Sequence, residues 1–541
     1  MVARGSREVR NGHVVSGATG GKAMPRSMGR PAAGRGVCSL GFGVSAPGDA
    51  GRIAVAERSD CLATVRTAKW RHAELLQGRN VIRIFRHYLP MGLVILGLSE
   101  VLVLWGALYL GAQVRYGGFA TRTHLAATSG KALLFVVVMW VVMTALGLYR
   151  RELEEGRWGY FPRLIVSLSL GFLVFCTLLP ILPSLVLPPT VLAAVVLVAL
   201  CGTMLTRLMY LAVTSRAAVH RQVLVLGTGK RARAIQALAQ GSPGRPGFHV
   251  VGFMPCGERE DMGGPLVLRG DQPLADIARS YHVTEIVVGN RDRRLSLPVN
   301  ELLECKLSGT RVMDLTTFFE RESGRIELES LNTSWLVFAD GFTQGVLKAW
   351  IKRVFDIVAS IILLMVCLPV MVITAILIKF EDNGPVLYRQ DRVGQAGRVF
   401  PLFKFRSMRV NAEKDGTPQW ASRNDSRVTR VGSFIRKVRI DELPQVFNAL
   451  RGDMSFVGPR PERPFFVDKL ARDIPYYGYR HTIKPGITGW AQVRYPYGAS
   501  VEDAVEKLKY DLYYVKNNTL FLDLIILFQT IQVVIFQDGA R

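Results

Sequence analysis

The sequence predicts a membrane α/β protein with three structured parts: a four-helix transmembrane segment, a Rossmann-like α/β module, and a monotopic domain with a re-entrant membrane hairpin. Three observations lead to this fold class. Apolar segments of membrane-spanning length fill the first part, over 81–215. A strand, a glycine turn and a helical pattern open the second, over 216–335. A further apolar run and a basic, carboxylate-bearing sequence form the third, over 348–541.

The composition narrows the class of protein. The chain has 541 residues, a net charge of +25, 49% hydrophobic residues and a positive mean hydropathy. This combination favours a membrane protein whose basic surfaces face anionic lipid or phosphorylated substrates. Nucleic-acid binding is the usual alternative for a basic chain, but long apolar runs disfavour it. The seven cysteines are scattered without metal-ligand spacing, which disfavours a disulfide framework or a zinc site.

Residues 1–80 precede the organised sequence. They are rich in Gly, Ala, Ser and Arg and show no sustained periodicity, which predicts disorder. No apolar segment follows the basic start, so the region does not read as a secretory signal. An alternative hypothesis is that this region is not translated and that synthesis starts at Val81, because organised sequence begins abruptly at "VIRIFRHYLP".

Four apolar segments follow, each close to the ~20 residues that cross a bilayer. Basic residues precede the first segment, separate the second from the third and follow the fourth, whereas the loop between the third and fourth is uncharged. This distribution predicts that both ends of the segment lie inside, although three basic residues fall in the first external loop. The predicted spans are 89–111, 132–149, 164–183 and 190–213.

The α/β module begins with "RQVLVLGTGKRARAIQAL", in which Gly227 and Gly229 allow a tight turn from strand to helix. Further strands are predicted at 249–254 and 285–290. The third position of the dinucleotide-binding pattern is Ala232, and the second strand does not end in an acid, so nucleotide binding is disfavoured. The alternative is a module used for packing, oligomerisation or regulation, which is compatible with a homodimer.

The apolar run Ile357 to Ile378 has 22 uncharged residues, enough for a fifth span. Pro369 lies in its middle and removes a backbone hydrogen bond. Basic residues on both sides favour a helix-break-helix hairpin over 352–379 that enters the inner leaflet and returns. A kinked helix that spans the membrane is the alternative. The flanking basic residues are Lys348, Lys352 and Arg353 before the run, and Lys379, Arg389 and Arg392 after it.

The region 389–463 carries 16 Lys or Arg and 8 Asp or Glu, interleaved with turn-forming residues. "FPLFKFRSM" at 400–408 predicts a strand with Lys404 and Arg406 on one side. "VGSFIRKVR" has helical spacing. "GPRP" predicts a rigid turn that holds Arg460.

"RIDELPQ" places two carboxylates side by side among these cations. One interpretation is structural, with Asp441 as the N-cap of a short helix and Pro444 in its first turn. The other is chemical. Arginine and lysine neutralise phosphate, and a carboxylate among them can act as a nucleophile or as a ligand of Mg²⁺ in phosphoryl transfer. The cations that favour the second interpretation are Lys404, Arg406, Arg436, Arg439 and Arg460.

Residues 348–541 resemble the bacterial sugar transferase family, the polyprenyl-phosphate hexose-1-phosphate transferases. The matching motifs are "KRVFDIVAS", "GPVLYRQDRVG", "FKFRSM", "RVTRVGSFIRKVRIDELPQVFNALRGDMSFVGPRPE" and "HTIKPGITGWAQV". The preceding residues from 81 resemble the larger members of the family, monotopic phosphoglycosyl transferases that initiate exopolysaccharide synthesis. That part of the resemblance is weaker.

The resemblance implies transfer of a sugar 1-phosphate from a UDP-sugar to undecaprenyl phosphate with release of UMP, dependent on Mg²⁺. Asp441 would form a phosphosugar-aspartyl intermediate and bind the metal, Glu442 would assist, and Arg436 and Arg460 would contact phosphate. The reaction would occur at the cytoplasmic face of the bacterial inner membrane. Glucose or galactose is the favoured donor sugar.

The C-terminal region predicts an interfacial location. "PYYGYRHTIKPGITGW" has the aromatic and basic mixture of a membrane–water boundary. The segment 520–536 is apolar but includes Asp523, Gln529 and Gln532, which favours a helix on the membrane or against the hairpin over a sixth span.

Two other functions stay open on the sequence. One is a nucleotide-dependent sugar-modifying enzyme that uses the Gly227 loop, and the missing ribose acid disfavours it. The other is a non-catalytic membrane scaffold or regulator of polysaccharide assembly.

Overall fold

The computed structural model describes residues 81–116, 122–149, 156–181, 187–216, 221–241, 247–255, 267–268, 272–289, 297–331, 341–342, 345–410, 427–496, 498 and 500–536. The predictions for 1–80 lie outside these ranges. The described chain is a membrane α/β protein with long apolar helices, a four-stranded parallel sheet and three two-stranded sheets.

The N-terminal part is a short antiparallel hairpin followed by apolar helices. Four helices of the described chain are long and apolar enough to cross a membrane, namely α1, α3, α4 and the later α9. The predicted second span is shorter, because α2 ends at Ala145 and Gly147 adopts φ 82°, a left-handed conformation that stops the helix. The elements are β1 Val81–Ile84, β2 His87–Pro90, α1 Met91–Tyr116, α2 Arg122–Ala145, α3 Gly156–Leu178 and α4 Pro189–Arg216.

A buried ion pair joins α1 to α4. Arg207 Nε lies 2.7 Å from Glu100, and Tyr149 donates to the same carboxylate at 2.6 Å. Both charged side chains are buried among apolar helix faces. Each charge compensates the other where water is absent, so the pair fixes the register of the two helices.

The α/β module has a four-stranded parallel sheet in the order β4-β3-β5-β6. The glycine turn follows β3, and Gly227 has φ 124°, a conformation that favours glycine. The strands predicted at 249–254 and 285–290 are present as β4 and β5. The elements are β3 Arg221–Leu226, α5 Lys230–Gly241, β4 Phe248–Met254, α6 Leu274–Ser280, β5 Glu285–Val288, α7 Val299–Leu307, β6 Arg311–Asp314 and α8 Leu315–Ser323.

The third part opens with α9, Val346–Asp382. Helical backbone continues through Pro369, so the predicted interruption of the helix at that residue is absent. Proline removes one backbone hydrogen bond, and the turns after it are held by Met371 and Ile378, which pack into a cluster with Phe405 and Ile435.

The carboxylate-bearing domain combines short sheets and helices. The antiparallel pair β7–β8 confirms the strand expected near 400, and β9 pairs in parallel with β10. The elements are β7 Leu387–Val393, β8 Val399–Phe405, α10 Arg430–Lys437, α11 Gln445–Arg451, β9 Ser455–Val457, α12 Pro464–Asp473, β10 Gly486–Thr488, α13 Trp490–Arg494, α14 Val501–Asn517 and α15 Leu520–Phe536.

Two aromatic residues of the C-terminal motif that was predicted to lie at a membrane boundary are buried instead. Trp490 and Tyr477 are buried in the core of the domain, where Trp490 stacks on Tyr513. Aromatic residues in the sequence cannot distinguish a membrane boundary from a core, because both favour rings with one polar atom. One face of helix α15, with Leu522 and Ile526, packs in this core, and Asp523 pairs with Lys352 of α9 at 2.7 Å. This contact fits the prediction of a helix against the hairpin.

Candidate active site

The two acidic residues lie in a 3₁₀ turn, Ile440–Glu442, before α11. Arg439 opens the turn with φ 60°, and Pro444 is the N-cap of α11. The prediction that Asp441 caps this helix is therefore wrong. The left-handed residue starts a tighter turn, whose N–H groups bond three residues back, and this turn brings both carboxylates in front of the helix.

Glu442 is held by two cations. Its Oε1 accepts from Lys404 Nζ at 2.8 Å and from Arg460 Nη2 at 2.9 Å. Burial alone would raise the pKa of Glu442, yet Lys404 and Arg460 together lower that pKa well below its ordinary value. Glu442 is therefore ionised at neutral pH and holds two basic side chains at the site.

Asp441 has different surroundings. Its side chain is buried, with 7% exposure, and in the described part of the chain no donor lies within hydrogen-bond distance of its carboxylate. Burial and the neighbouring Glu442 raise the pKa of Asp441, while Lys404, Arg436 and Arg439 oppose that rise. The carboxylate thus lies near several cations without being tied to any one of them.

A buried amide positions Lys404 beside the acidic turn. Asn448, on α11, donates to Pro401 O at 2.8 Å and accepts from Phe403 N at 3.0 Å. These bonds fix β8 against the helix that follows the two carboxylates. The residue was not predicted, since its partners are 45–47 positions away.

The Pro-Arg-Pro loop is held through its carbonyls, because a proline has no N–H to donate. Arg480 Nη2 donates to Arg460 O at 2.9 Å, and Arg392 Nη1 donates to Pro461 O at 3.0 Å. Arg480 is itself buried and paired with Asp511 at 2.8 Å. Sequence reasoning assigned Arg480 to a membrane boundary, and no signal within its motif indicates this role.

Arg406 differs from its predicted use. It pairs with Asp382 at the end of α9, so its guanidinium is already committed in part to a carboxylate. The prediction that Lys404 and Arg406 lie on one side of the strand agrees with their position, because both line the cavity described next.

One cavity of about 1060 Å³ contains the predicted site residues. Its cationic part surrounds the two carboxylates, and its other walls come from α9, α12, α14 and α15. A cavity of this size lies at the upper end of small-molecule sites. The predicted residues that line it are Asp441, Glu442, Lys404, Arg406, Arg436 and Arg460. Pro369 does not line it.

The carboxylates of the site fit a Mg²⁺ ion that is bound jointly by the protein and by substrate phosphates. Within the described residues no group of three or more His, Cys, Asp or Glu side chains could enclose a metal ion. Mg²⁺ in phosphoryl-transfer sites is held by one or two carboxylates together with substrate phosphates and water. Asp441, buried and without a hydrogen-bond donor in the described chain, meets that requirement, whereas Glu442 is engaged by two cations.

Comparison with known proteins decides the family. The family model for bacterial sugar transferases matches residues 347–537. The putative undecaprenyl-phosphate N-acetylgalactosaminyl 1-phosphate transferase of Bacillus subtilis is 53% identical over 130 residues, 24% of this chain and 72% of that protein. The chain belongs to the bacterial sugar transferase family.

Two longer members of the family are also similar. UDP-N-acetylgalactosamine-undecaprenyl-phosphate N-acetylgalactosaminephosphotransferase of Aeromonas hydrophila is 46% identical over 240 residues, 44% of this chain and 56% of that protein. Undecaprenyl-phosphate glucose phosphotransferase of Komagataeibacter xylinus is 43% identical over 194 residues, 35% of this chain and 36% of that protein. The matched part of the chain therefore spans about half the length of the Aeromonas hydrophila protein and about a third of the length of the Komagataeibacter xylinus protein. The segment that the sugar transferase model matches includes the acidic turn, Arg436, Arg460 and α9 from Leu347 onward.

Proposed function

We propose that this bacterial sugar transferase transfers a sugar 1-phosphate from a UDP-sugar to undecaprenyl phosphate and releases UMP, as the initiating step of exopolysaccharide synthesis. The single observation that carries the proposal is the contrast between the two acids. Glu442 is fixed by Lys404 and Arg460, while Asp441 remains available in the same cationic cavity. The names of the three relatives supply the acceptor.

The first step is attack by an Asp441 carboxylate oxygen on the sugar-bearing phosphorus of the donor. A bond forms between that oxygen and phosphorus, and the bond to the bridging oxygen breaks, so that UMP leaves with the electron pair. In the second step an oxygen of the lipid phosphate attacks the same phosphorus and expels Asp441. Splitting the transfer lets one site use a soluble donor and a lipid acceptor in turn.

The cations of the cavity neutralise the charge that builds on the phosphates. Arg436 and Arg460 line the cavity and are placed for this role. Lys404 also lines the cavity, and its bond to Glu442 holds it there. Mg²⁺, when bound by Asp441 and the donor phosphates, would add charge neutralisation at the leaving group. Glu442 keeps the two cations at the site.

We propose that α9 enters the membrane from the cytoplasmic face and returns to it. Residues on both sides of its apolar run contact the same domain. Arg353 donates to Ala449 O and Leu450 O at 2.6 Å, and Glu381 accepts from Arg430 N at 2.8 Å. A straight helix would separate Arg353 from Glu381 by ~42 Å, more than the ~30 Å hydrocarbon core, which favours a bend that keeps both contacts on one side.

Cysteine labelling tests this topology in a cysteine-free background. Val346→Cys, at the start of α9, and Asp391→Cys, after its end, place cysteines at exposed positions on the two sides of the apolar run. We expect an impermeant reagent to label both only from the cytoplasmic side, in inverted vesicles. Labelling of Asp391→Cys from the outside would show a spanning helix instead.

A transfer assay tests the activity. Membranes with the protein receive undecaprenyl phosphate, Mg²⁺ and one of three UDP-sugars labelled in the sugar. UDP-glucose and UDP-N-acetylgalactosamine are chosen because the names of the relatives include these sugars, and UDP-galactose because the resemblance favours glucose or galactose. We expect lipid-linked label and release of UMP with one or more donors. Asp441→Asn should lower the rate by ~10⁴-fold or more, whereas Asp473→Asn, at an exposed site on α12, should leave it unchanged. No transfer with any donor would favour the non-catalytic scaffold.

A further inference from the structure

An ion pair links two helices that both contribute apolar side chains to the wall of the catalytic cavity. Lys352 of α9 and Asp523 of α15 are 2.7 Å apart. Beyond this pair, each helix contributes side chains at helical spacing to the same cavity wall. The contributing residues are Phe355, Ala359, Ile362, Leu363 and Val366 on α9, and Leu524, Leu527, Ile531 and Val534 on α15. We call this wall the apolar groove.

The apolar groove offers no charge to a ligand. Its polar member from α15, Thr530, is already bonded to Ile526 O at 2.7 Å and to Thr488 Oγ1 at 2.7 Å. Ile362 and Val366 are 52% and 70% exposed, so these side chains are open to an occupant and do not belong to the protein core. A polar donor such as a nucleotide sugar would lose hydrogen bonds to water here without replacement.

The apolar groove is continuous with the cationic end of the cavity. Lys404, Arg436 and Arg460 line the same space as Ile362 and Leu527. A ligand that fits both ends has a phosphate joined to a long hydrocarbon. The groove also begins on the helix whose apolar run meets the membrane, so a chain in the groove can continue into lipid.

We propose that the apolar groove between α9 and α15 binds the first isoprene units of the polyprenyl phosphate acceptor and sets the preference for acceptor chain length. This inference rests on the proposed function, because it assigns a subsite to that acceptor. The ion pair between Lys352 and Asp523 ties the two helices that line the groove to each other.

The test compares two acceptors in the same detergent, undecaprenyl phosphate and a phosphate of a single isoprene unit, which is too short to fill the groove, with the donor found in the transfer assay. Ile362→Asn and Ala359→Trp alter the groove. Ile361→Asn is the matched control, because this neighbour on α9 is similarly exposed and does not line the cavity. The readouts are kcat/KM for each acceptor, KM for the donor, and release of UMP with donor alone.

We expect both groove variants to lower kcat/KM for the long acceptor by at least ~10-fold, as loss of fit in an apolar pocket does. The short acceptor, the donor KM and the donor-only release should change by less than ~2-fold. The control should keep the ratio between long and short acceptors. An unchanged ratio in both groove variants, or an equal loss in Ile361→Asn, would overturn the groove assignment. Absence of UMP release from the unaltered protein would instead refute the proposed function.

Discussion

Asp441 and Glu442 are neighbours in sequence, yet their carboxyl groups face different surroundings. Glu442 is fixed by two cations, whereas Asp441 is buried beside that negative charge and makes no hydrogen bond within the described chain. The sequence could indicate that both acids lie among cations. The sequence could not indicate that the two acids have different surroundings. That difference depends on the turn opened by Arg439 and on contacts of Glu442 with residues 18 and 38 positions away.

Lys404 links the two acids electrostatically, and its removal should change the pH dependence of the reaction. Lys404 opposes protonation of both Asp441 and Glu442. In Lys404→Met the pKa of each carboxyl should rise, so each is protonated at a higher pH. Because an attacking carboxylate must be ionised, the acidic limb of the kcat/KM profile should move to higher pH.

The control for this change is Lys437→Met, since Lys437 is exposed on α10 and does not line the cavity. Its profile should match that of the unaltered protein. An acidic limb that stays in place or moves to lower pH in Lys404→Met would show that Lys404 does not act on these carboxyl groups.

At the scale of elements, the site is assembled by loops that buried side chains hold in place. The Pro-Arg-Pro loop was predicted to be rigid from its two prolines, but its position depends on Arg480 and Asp511, 20 and 51 residues beyond Arg460 in the sequence. Strand β8 was predicted from alternation and depends equally on Asn448. The periodicity of nearby residues predicts a strand or a turn. A single sequence does not show which distant side chain holds that strand or turn in place.

Arg480 should act on the reaction by positioning Arg460. In Arg480→Met a buried Asp511 loses its cation, and the free energy of unfolding should fall by ~3–5 kcal/mol. The double variant Arg480→Met/Asp511→Leu removes both charges and should recover most of that stability. Its kcat should nevertheless stay low by ~10-fold or more, because Arg460 O has lost its donor.

Thermal unfolding in detergent and steady-state rates measure the two quantities separately. Recovery of activity together with stability in the double variant would show that Arg480 contributes to folding alone. Recovery of stability without activity is the result expected of a positioning residue.

At the scale of the whole molecule, side chains near the N-terminal hairpin join the parts of the chain. His87 is buried against Trp490, and its Nδ1 lies 2.8 Å from the Tyr513 hydroxyl. Glu320 of α8 accepts from Lys516 and Asn517 of α14 at 2.7 Å. The order of the parts was readable from hydropathy and motifs. Their contacts were not, since they join residues up to 426 positions apart.

His87 should make stability depend on pH. Burial, with Arg494 nearby, lowers the pKa of His87 to about 4 from 6.5. The unfolded chain therefore binds the proton more readily than the folded chain, and stability should fall as pH drops from about 6.5 towards 4, by ~3 kcal/mol at most.

Thermal unfolding at pH 7.5 and pH 5 measures this effect. His87→Phe should weaken the dependence on pH, while His249→Phe, at an exposed site, should keep it. An unchanged dependence in His87→Phe would assign the effect to other groups.

The most direct measurement of the central claim is the mass of the purified protein after exposure to the donor and Mg²⁺ without acceptor. Attack by Asp441 predicts a covalent phosphosugar on the peptide that contains "RIDELPQ", formed with an equal amount of UMP and removed when undecaprenyl phosphate is added. Asp441→Asn should form no adduct, while Asp473→Asn should form as much as the unaltered protein. An adduct on another residue, or full transfer activity in Asp441→Asn, would contradict the covalent role of Asp441.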